Sequence, residues 1–155
     1  MIPVKAFTLA AVLALPTLAV AQSADDAAKE ALEARHGYMT MLGINMGQLA
    51  GMAKGEVAYD EALASRAAAN ILALTQYDAP ALFTPGTSSE EIDESDALPA
   101  IWEKPDDFGA KFADLSKAAA GSPDAVKGGQ GNVGAVVQKL GGACKACHDD
   151  YRKKD

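Results

Sequence analysis

The stretch Cys144-Lys145-Ala146-Cys147-His148, near the C-terminal end, decides more about this chain than any other five residues. Two thiols separated by two residues and followed at once by an imidazole form the attachment signature of a c-type haem. Each thiol can form a thioether to one vinyl group, and the two tethers hold the next histidine beneath the iron. The spacing therefore predicts one covalently bound haem c, with His148 as the proximal axial ligand.

Two cysteines at this spacing also occur in disulfides, redox dithiols and zinc sites. Zinc needs about four ligands, but the chain has only these two cysteines and one further histidine, His36, far upstream. A redox dithiol normally follows a strand in a βαβ pattern, and no strand-rich region precedes Cys144. Haem attachment is the favoured interpretation, and a haem-free helical protein with a disulfide remains the minor alternative.

The first residues have the pattern of a secretory signal. Lys5 precedes an apolar run over residues 6–15, and the small residues Ala19-Val20-Ala21 follow. The run is shorter than the ~20 residues that span a bilayer. We expect residues 1–21 to be removed, with cleavage between Ala21 and Gln22, and residues 22–155 to form one periplasmic domain without membrane insertion. Because haem is attached outside the bacterial cytoplasm, the signal and the haem signature agree.

The charge balance limits the possible partners. Removing residues 1–21, which carry one lysine and no acid, takes the formal net charge from −7 to −8. An acidic surface disfavours nucleic acid and anionic membranes and favours a basic redox partner protein, although solubility alone also accounts for it.

The apolar residues recur every three or four positions, which predicts an all-α protein. Four helical segments are expected. The first runs from about Asp25 to Lys54, with Gly55 as the stop signal, and the second from its cap Asp60 to a break at residues 78–80. The third runs from Pro105 or Asp106 to a break at residues 121–123. The fourth begins at about Val133, or slightly earlier, and continues into the haem signature.

Two features interrupt this pattern. Gly43, Gly47 and Gly51 lie inside the first helix, where each glycine costs about 1 kcal/mol relative to alanine. Close approach of a helix or a flat macrocycle could offset that cost, and a composition rich in glycine and alanine is the alternative. The segment 80–104 is long for a compact domain and suggests a packed functional loop, in which Trp102 is either a core anchor or a haem contact.

Four helices with a C-terminal haem signature resemble the class II c-type cytochromes, of which cytochrome c′ is the best known. Class I cytochromes c carry the signature near the N-terminus instead. The resemblance implies an up-down-up-down antiparallel four-helix bundle over residues 22–155, commonly homodimeric through its first two helices. The matching elements are Glu33-Ala34-Arg35 followed by Met39, Ala53-Lys54-Gly55-Glu56, Tyr59-Asp60, Pro85-Gly86-Thr87, Ile101-Trp102, and Cys144 to Arg152.

The resemblance assigns the thioethers to Cys144 and Cys147 and the fifth coordination position to His148. It also places Arg35 beside a haem propionate, where a guanidinium offers several donors to a carboxylate. A solvated side chain is the alternative for Arg35.

Three further residues are cofactor-binding candidates by resemblance. Ser95 and Asp96 match a loop position that touches the haem edge. Arg152 matches an arginine on the proximal face, where it can influence ligands arriving from that side. As a cation at a helix C-terminus, Arg152 could equally be a surface residue without a further role.

Met39 separates two functions, because the resemblance places it at the sixth iron position. In cytochromes c′ this residue stays off a five-coordinate, high-spin iron, and nitric oxide or carbon monoxide can bind. In the low-spin members a methionine here ligates the iron and makes a simple electron carrier. We expect the c′ arrangement, with ligation by Met39 as the alternative. Bis-histidine ligation, in which His36 binds the iron together with His148, is a less favoured third possibility. No constellation of catalytic residues is evident, so we expect a non-enzymatic electron-transfer protein.

Overall fold

The computed structural model describes residues 18–154, with side chains from residue 26 onward. The predicted signal peptide lies outside the described residues, apart from the backbone of residues 18–21. The described part contains six α-helices: α1 (Leu18–Lys54), α2 (Glu61–Leu74), α3 (Ala100–Glu103), α4 (Pro105–Ala119), α5 (Ser122–Ala125) and α6 (Gln130–Tyr151). Within these residues no helix is both long and apolar enough to cross a bilayer.

The four long helices form the predicted antiparallel bundle. Helix α1 packs against α2 and α6, and α4 packs against α6. The centre is filled by Leu49, Ile71, Val133 and Leu140, all 0% exposed. Burying an aliphatic side chain of this size stabilises the fold by about 1.5–3 kcal/mol. The all-α, four-helix fold class is confirmed.

Two helix boundaries follow from residues recognised in the sequence. Gly55 adopts φ +74°, a left-handed conformation that favours glycine, directly after α1 ends. The backbone N–H of Leu63 donates to Asp60 Oδ1 at 2.9 Å, so Asp60 caps α2 as predicted. The predicted start of α1 at Asp25 is wrong, because the helix already includes Leu18. The intervening residues contain no proline or glycine that would stop a helix.

The segment between α2 and α4 is a packed loop, as expected, but it contains short elements that the sequence pattern did not predict. A 3₁₀ helix, Ala79–Leu82, opens it and α3 closes it. The Trp102 indole N–H donates to the Phe83 carbonyl at 3.1 Å, and the ring packs against a small apolar cluster. Trp102 therefore anchors this loop to the core.

The three glycines of α1 have different surroundings. A Cβ at Gly51 would lie 3.3 Å from Val57 Cγ2, so a close approach exists there. A Cβ at Gly43 or Gly47 would meet no atom of the described residues within 4 Å. Close packing within the chain therefore accounts for Gly51 only, while Gly43 borders a cavity beside the haem signature.

Candidate haem site

Two cavities lie between α1, α4 and α6, with volumes of about 420 and 260 Å³. Both are bordered by the same four residues, Met39, Phe112, Cys147 and His148. The larger cavity is otherwise lined by Arg35, His36, Thr40, Phe83, Asp96, Ala97, Ile101, Phe108, Tyr151 and Arg152. The smaller is otherwise lined by Leu42, Gly43, Met46, Lys111, Leu115, Ala143 and Cys144. The haem signature thus faces a mostly apolar cleft on both sides.

Helix α6 places the three residues of the signature that carry its chemistry on one side. Cys144, Cys147 and His148 are spaced by three and four positions, so an α-helix turns them towards the same neighbours. All three border the smaller cavity. Cys144 and Cys147 are both half-buried and do not form a disulfide with each other.

The pKa values of the two thiols differ in direction from those of a redox dithiol. Burial raises the pKa of Cys147 to about 11, and burial likewise raises the pKa of Cys144. A redox dithiol needs a lowered pKa, because the thiolate is the reactive form. Among the described residues no group of three or more His, Cys, Asp and Glu side chains could hold a metal ion. The raised pKa values therefore argue against a redox dithiol at this position.

His148 borders both cavities. Its partial burial, and next the positive charge of Arg152, lower the pKa of the imidazole. The neutral ring is the form that binds a metal.

Arg35 is buried, with 4% exposure, so the solvated alternative is wrong. Its guanidinium donates to Thr87 Oγ1 and the Thr87 carbonyl, both at 3.3 Å, and to Ser95 Oγ at 2.9 Å. The Cζ atom also lies 4.8 Å from the centroid of the Phe83 ring. Burial lowers the pKa of Arg35, and the negative charge of Asp96 acts in the opposite direction.

No carboxylate of the described residues lies within ion-pair distance of Arg35. A buried cation without an anion is costly, and Arg35 lines the larger cavity. An anionic group bound in that cavity would supply the missing charge, and a haem propionate is such a group. The apolar cleft, the paired thiols, the imidazole and this unmatched cation together fit haem c.

Ser95 and Asp96 have separate positions despite being neighbours. Ser95 is 1% exposed and contacts Arg35, but it does not line either cavity. Asp96 borders the larger cavity, and its Oδ2 accepts from Arg152 Nε at 3.3 Å. The structure therefore places Asp96 and Arg152 together at the cavity, and Ser95 behind Arg35.

Backbone hydrogen bonds tie this loop to the end of α6. The Leu98 N–H donates to the Tyr151 carbonyl at 3.0 Å, and the Lys153 N–H donates to the Asp96 carbonyl at 2.8 Å. Ala97 and Arg152 form an isolated antiparallel bridge between these bonds. The long loop and the haem-bearing helix are therefore fixed relative to each other.

Sequence reasoning missed several residues that border the cleft. An aromatic cluster forms one wall, with the ring centroids of Phe108 4.7 Å from Phe83 and 5.2 Å from Phe112. The four-residue spacing of Phe108 and Phe112 on α4 was the available signal. Lys111, which donates to Asp150 at 2.8 Å, borders the cysteines and gave no such signal.

A four-helix bundle whose last helix presents paired cysteines and a histidine to an apolar cleft defines the class of bundle cytochromes with one covalent haem. The family model described as Cytochrome C' matches residues 30–152. The chain belongs to the cytochrome c′ family. Its cofactor is therefore haem c, and it is an electron-transfer haem protein.

Individual relatives agree with this assignment. A cytochrome c-554 of Cereibacter sphaeroides is 42% identical over 154 residues, which cover 99% of this chain and 98% of the relative. A solved cytochrome c′ from Rhodobacter sphaeroides has a TM-score of 0.79 at 42% identity, with 83% of this chain and 98% of that chain covered. Another solved cytochrome c′, described as having ligand-controlled dimer dissociation, has a TM-score of 0.72 at 27% identity, with coverages of 82% and 97%.

Proposed function

We propose that this chain is a periplasmic one-electron carrier with a single haem held by thioethers from Cys144 and Cys147. His148 is the fifth iron ligand. When bound, the haem supplies an iron that alternates between the ferric and ferrous states. The observation that carries this proposal is that both thiols and the imidazole border one cleft on α6. The physiological reaction is electron exchange with a redox partner protein, without enzymatic turnover.

Met39 stays off the iron in this proposal, so the site resembles that of a cytochrome c′. In support, Met39 is only half-buried. A methionine side chain has three rotatable bonds, so the helix by itself does not fix the position of its sulfur atom. Nitric oxide or carbon monoxide can then reach the sixth position.

Ligation by Met39 is the second candidate. It is favoured by one observation, that Met39 and His148 border both cavities and so share the same cleft. An iron with histidine and methionine ligands is low-spin and six-coordinate, which suits electron transfer alone.

Optical and electron paramagnetic resonance spectra of the haem-loaded protein distinguish the candidates. We expect a high-spin ferric signal, rapid carbon monoxide binding in the ferrous state, and an unchanged spin state in Met39→Ala. A low-spin signal with a methionine-to-iron charge-transfer band, lost in Met39→Ala, would establish the second candidate. His36→Ala is the matched control on the same helix, and a change there would indicate bis-histidine ligation. A colourless protein expressed with haem-attachment machinery would contradict haem binding altogether.

Arg35 pairs with a haem propionate in this proposal, because no carboxylate of the described residues lies within ion-pair distance of the buried guanidinium. Arg152 and Asp96 border the same cavity, and we assign Arg152 to the proximal side with His148. Its charge there acts on ligands that approach from that side.

A homodimer through α1 and α2 also fits the surface. A third cavity of about 620 Å³ lies between these helices, and Met41, Ile44 and Tyr77 beside it are about half-exposed. Sedimentation of the wild type and Ile44→Glu tests this assignment. We expect a dimer that dissociates in the variant, whereas an equal monomeric mass for both would contradict it.

In this proposal residues 1–21 direct export to the periplasm and are then removed. Mass spectrometry of protein recovered from the periplasm should give a mature chain that begins at Gln22 and carries one haem. Recovery of the full-length chain from the cytoplasm would contradict this part of the proposal.

A further inference from the structure

The two hydroxyl groups beside Arg35 can only accept hydrogen bonds from it, because each donates its own proton elsewhere. Ser95 Oγ carries one proton, which it donates to the Thr87 carbonyl at 2.7 Å. Thr87 Oγ1 donates its proton to the Thr84 carbonyl at 2.7 Å. Because both protons are used elsewhere, both hydroxyl groups present lone pairs to the guanidinium.

These groups form a neutral cradle for Arg35, consisting of the Ser95 hydroxyl and the Thr87 hydroxyl and carbonyl. Neutral acceptors fix the direction of a cation without cancelling its charge. Asp96 acts electrostatically on Arg35, but its carboxylate is hydrogen-bonded to Arg152 and not to Arg35. Among the described residues no direct ion pair neutralises Arg35, so its positive charge acts on the larger cavity, which Arg35 lines.

The cradle also has a fixed position relative to the cleft. Ser95 Oγ accepts from the Ala97 N–H at 3.2 Å, next to the bridge between Ala97 and Arg152. The loop that holds Arg35 is thus attached to the end of α6, which carries His148. A small displacement of Ser95 would move the guanidinium relative to the haem-bearing helix.

We propose that Ser95 and Thr87 are positioning residues that set the reduction potential of the haem by holding Arg35 against the cavity. This inference rests on the proposed function, which places a haem propionate beside Arg35. A nearby cation stabilises the ferrous state, which carries one positive charge fewer than the ferric state, and therefore raises the potential. A guanidinium that is less well held lies farther from the haem on average, so the potential falls.

The test is redox titration of the haem-loaded wild type, Ser95→Ala, Arg35→Met and the double variant. We expect Ser95→Ala to lower the equilibrium constant for haem reduction by roughly three- to tenfold, where tenfold corresponds to about 59 mV for one electron. Arg35→Met should lower it further. In the Arg35→Met background the Ser95 substitution should have no additional effect.

Ser88→Ala is the matched control. Ser88 is a buried serine of the same loop, but its hydroxyl donates to Glu91 at 2.6 Å rather than accepting from Arg35. It should lose similar stability and keep the wild-type potential. Thr87→Val replaces Ser95→Ala if the latter does not fold, and Thr87→Ser should restore the potential because it keeps the acceptor.

Three outcomes would overturn the inference. A wild-type potential in Ser95→Ala means that the cradle does not act on the haem. An equal shift in both backgrounds means that Ser95 acts without Arg35. An unchanged potential in Arg35→Met rejects the propionate assignment together with this inference. Covalent attachment of the haem is tested separately, by the mass of the haem-loaded chain.

Discussion

The Tyr151 hydroxyl donates a hydrogen bond of 2.5 Å to the Asp107 carboxylate and so joins the end of α6 to the first turn of α4. The Tyr151 ring is buried, borders the larger cavity and packs edge-on against Phe108, with centroids 5.1 Å apart. The hydrogen bond to Asp107, followed by burial and the nearby negative charges, raises the pKa of Tyr151 to about 12. The hydrogen bond that joins α6 to α4 therefore depends on pH in the range where Tyr151 loses its proton.

Tyr151→Phe should change how stability depends on pH. Because the folded-state pKa exceeds the unfolded value of about 10, the stabilisation is complete below pH 10 and is lost between pH 10 and about 12. We expect the wild type to be more stable than Tyr151→Phe at pH 9, and the difference in unfolding free energy to shrink by pH 11. Urea denaturation at both pH values measures this difference. A difference that grows with pH would contradict the assigned direction.

Trp102→Phe should destabilise the protein by about 1 kcal/mol, because the partly buried Phe83 carbonyl loses its indole donor at 3.1 Å. Trp102 lines neither of the two cavities beside the haem signature, so the visible spectrum and the spin state should be unchanged. Urea unfolding followed by circular dichroism measures the loss. An altered haem spectrum with unchanged stability would mean that Trp102 contacts the haem rather than anchoring the loop.

Asp60→Ala should lower the unfolding free energy by about 1 kcal/mol, because α2 loses its N-cap. Asp78→Ala is the matched control, since Asp78 precedes a 3₁₀ helix without making a side-chain cap. The control should change stability by less than about 0.5 kcal/mol. Equal losses in the two variants would show that general charge effects, and not capping, account for the change.

Gly47→Ala should stabilise the protein by about 0.5–1 kcal/mol, because alanine favours the helix and its Cβ meets no described atom within 4 Å. Gly51→Ala should gain less, since its Cβ would lie 3.3 Å from Val57 Cγ2 and the Val57 side chain would have to rotate. Thermal unfolding of the two haem-loaded variants compares them. A loss of stability in Gly47→Ala would reveal a partner that covers this face of α1.

Much of the fold was predictable because its determinants are local. The haem signature occupies five consecutive residues of α6, and the Asp60 cap acts on a residue three positions later. A pattern of this range is visible in the sequence itself. The short helices α3 and α5 were not predicted, because four residues carry no periodicity that distinguishes a turn of helix from a loop.

The sequence by itself therefore determined that this chain is helical and that its last helix carries the attachment signature of haem c. The tertiary structure decided which residues surround that signature. Arg35 and Ser95 are 60 positions apart, and only the packing of the long loop against α1 brings them within 2.9 Å. Burial of Arg35 among neutral acceptors depends on that packing, because a residue's solvation and partners are set by neighbours distant in the chain rather than by its own helix.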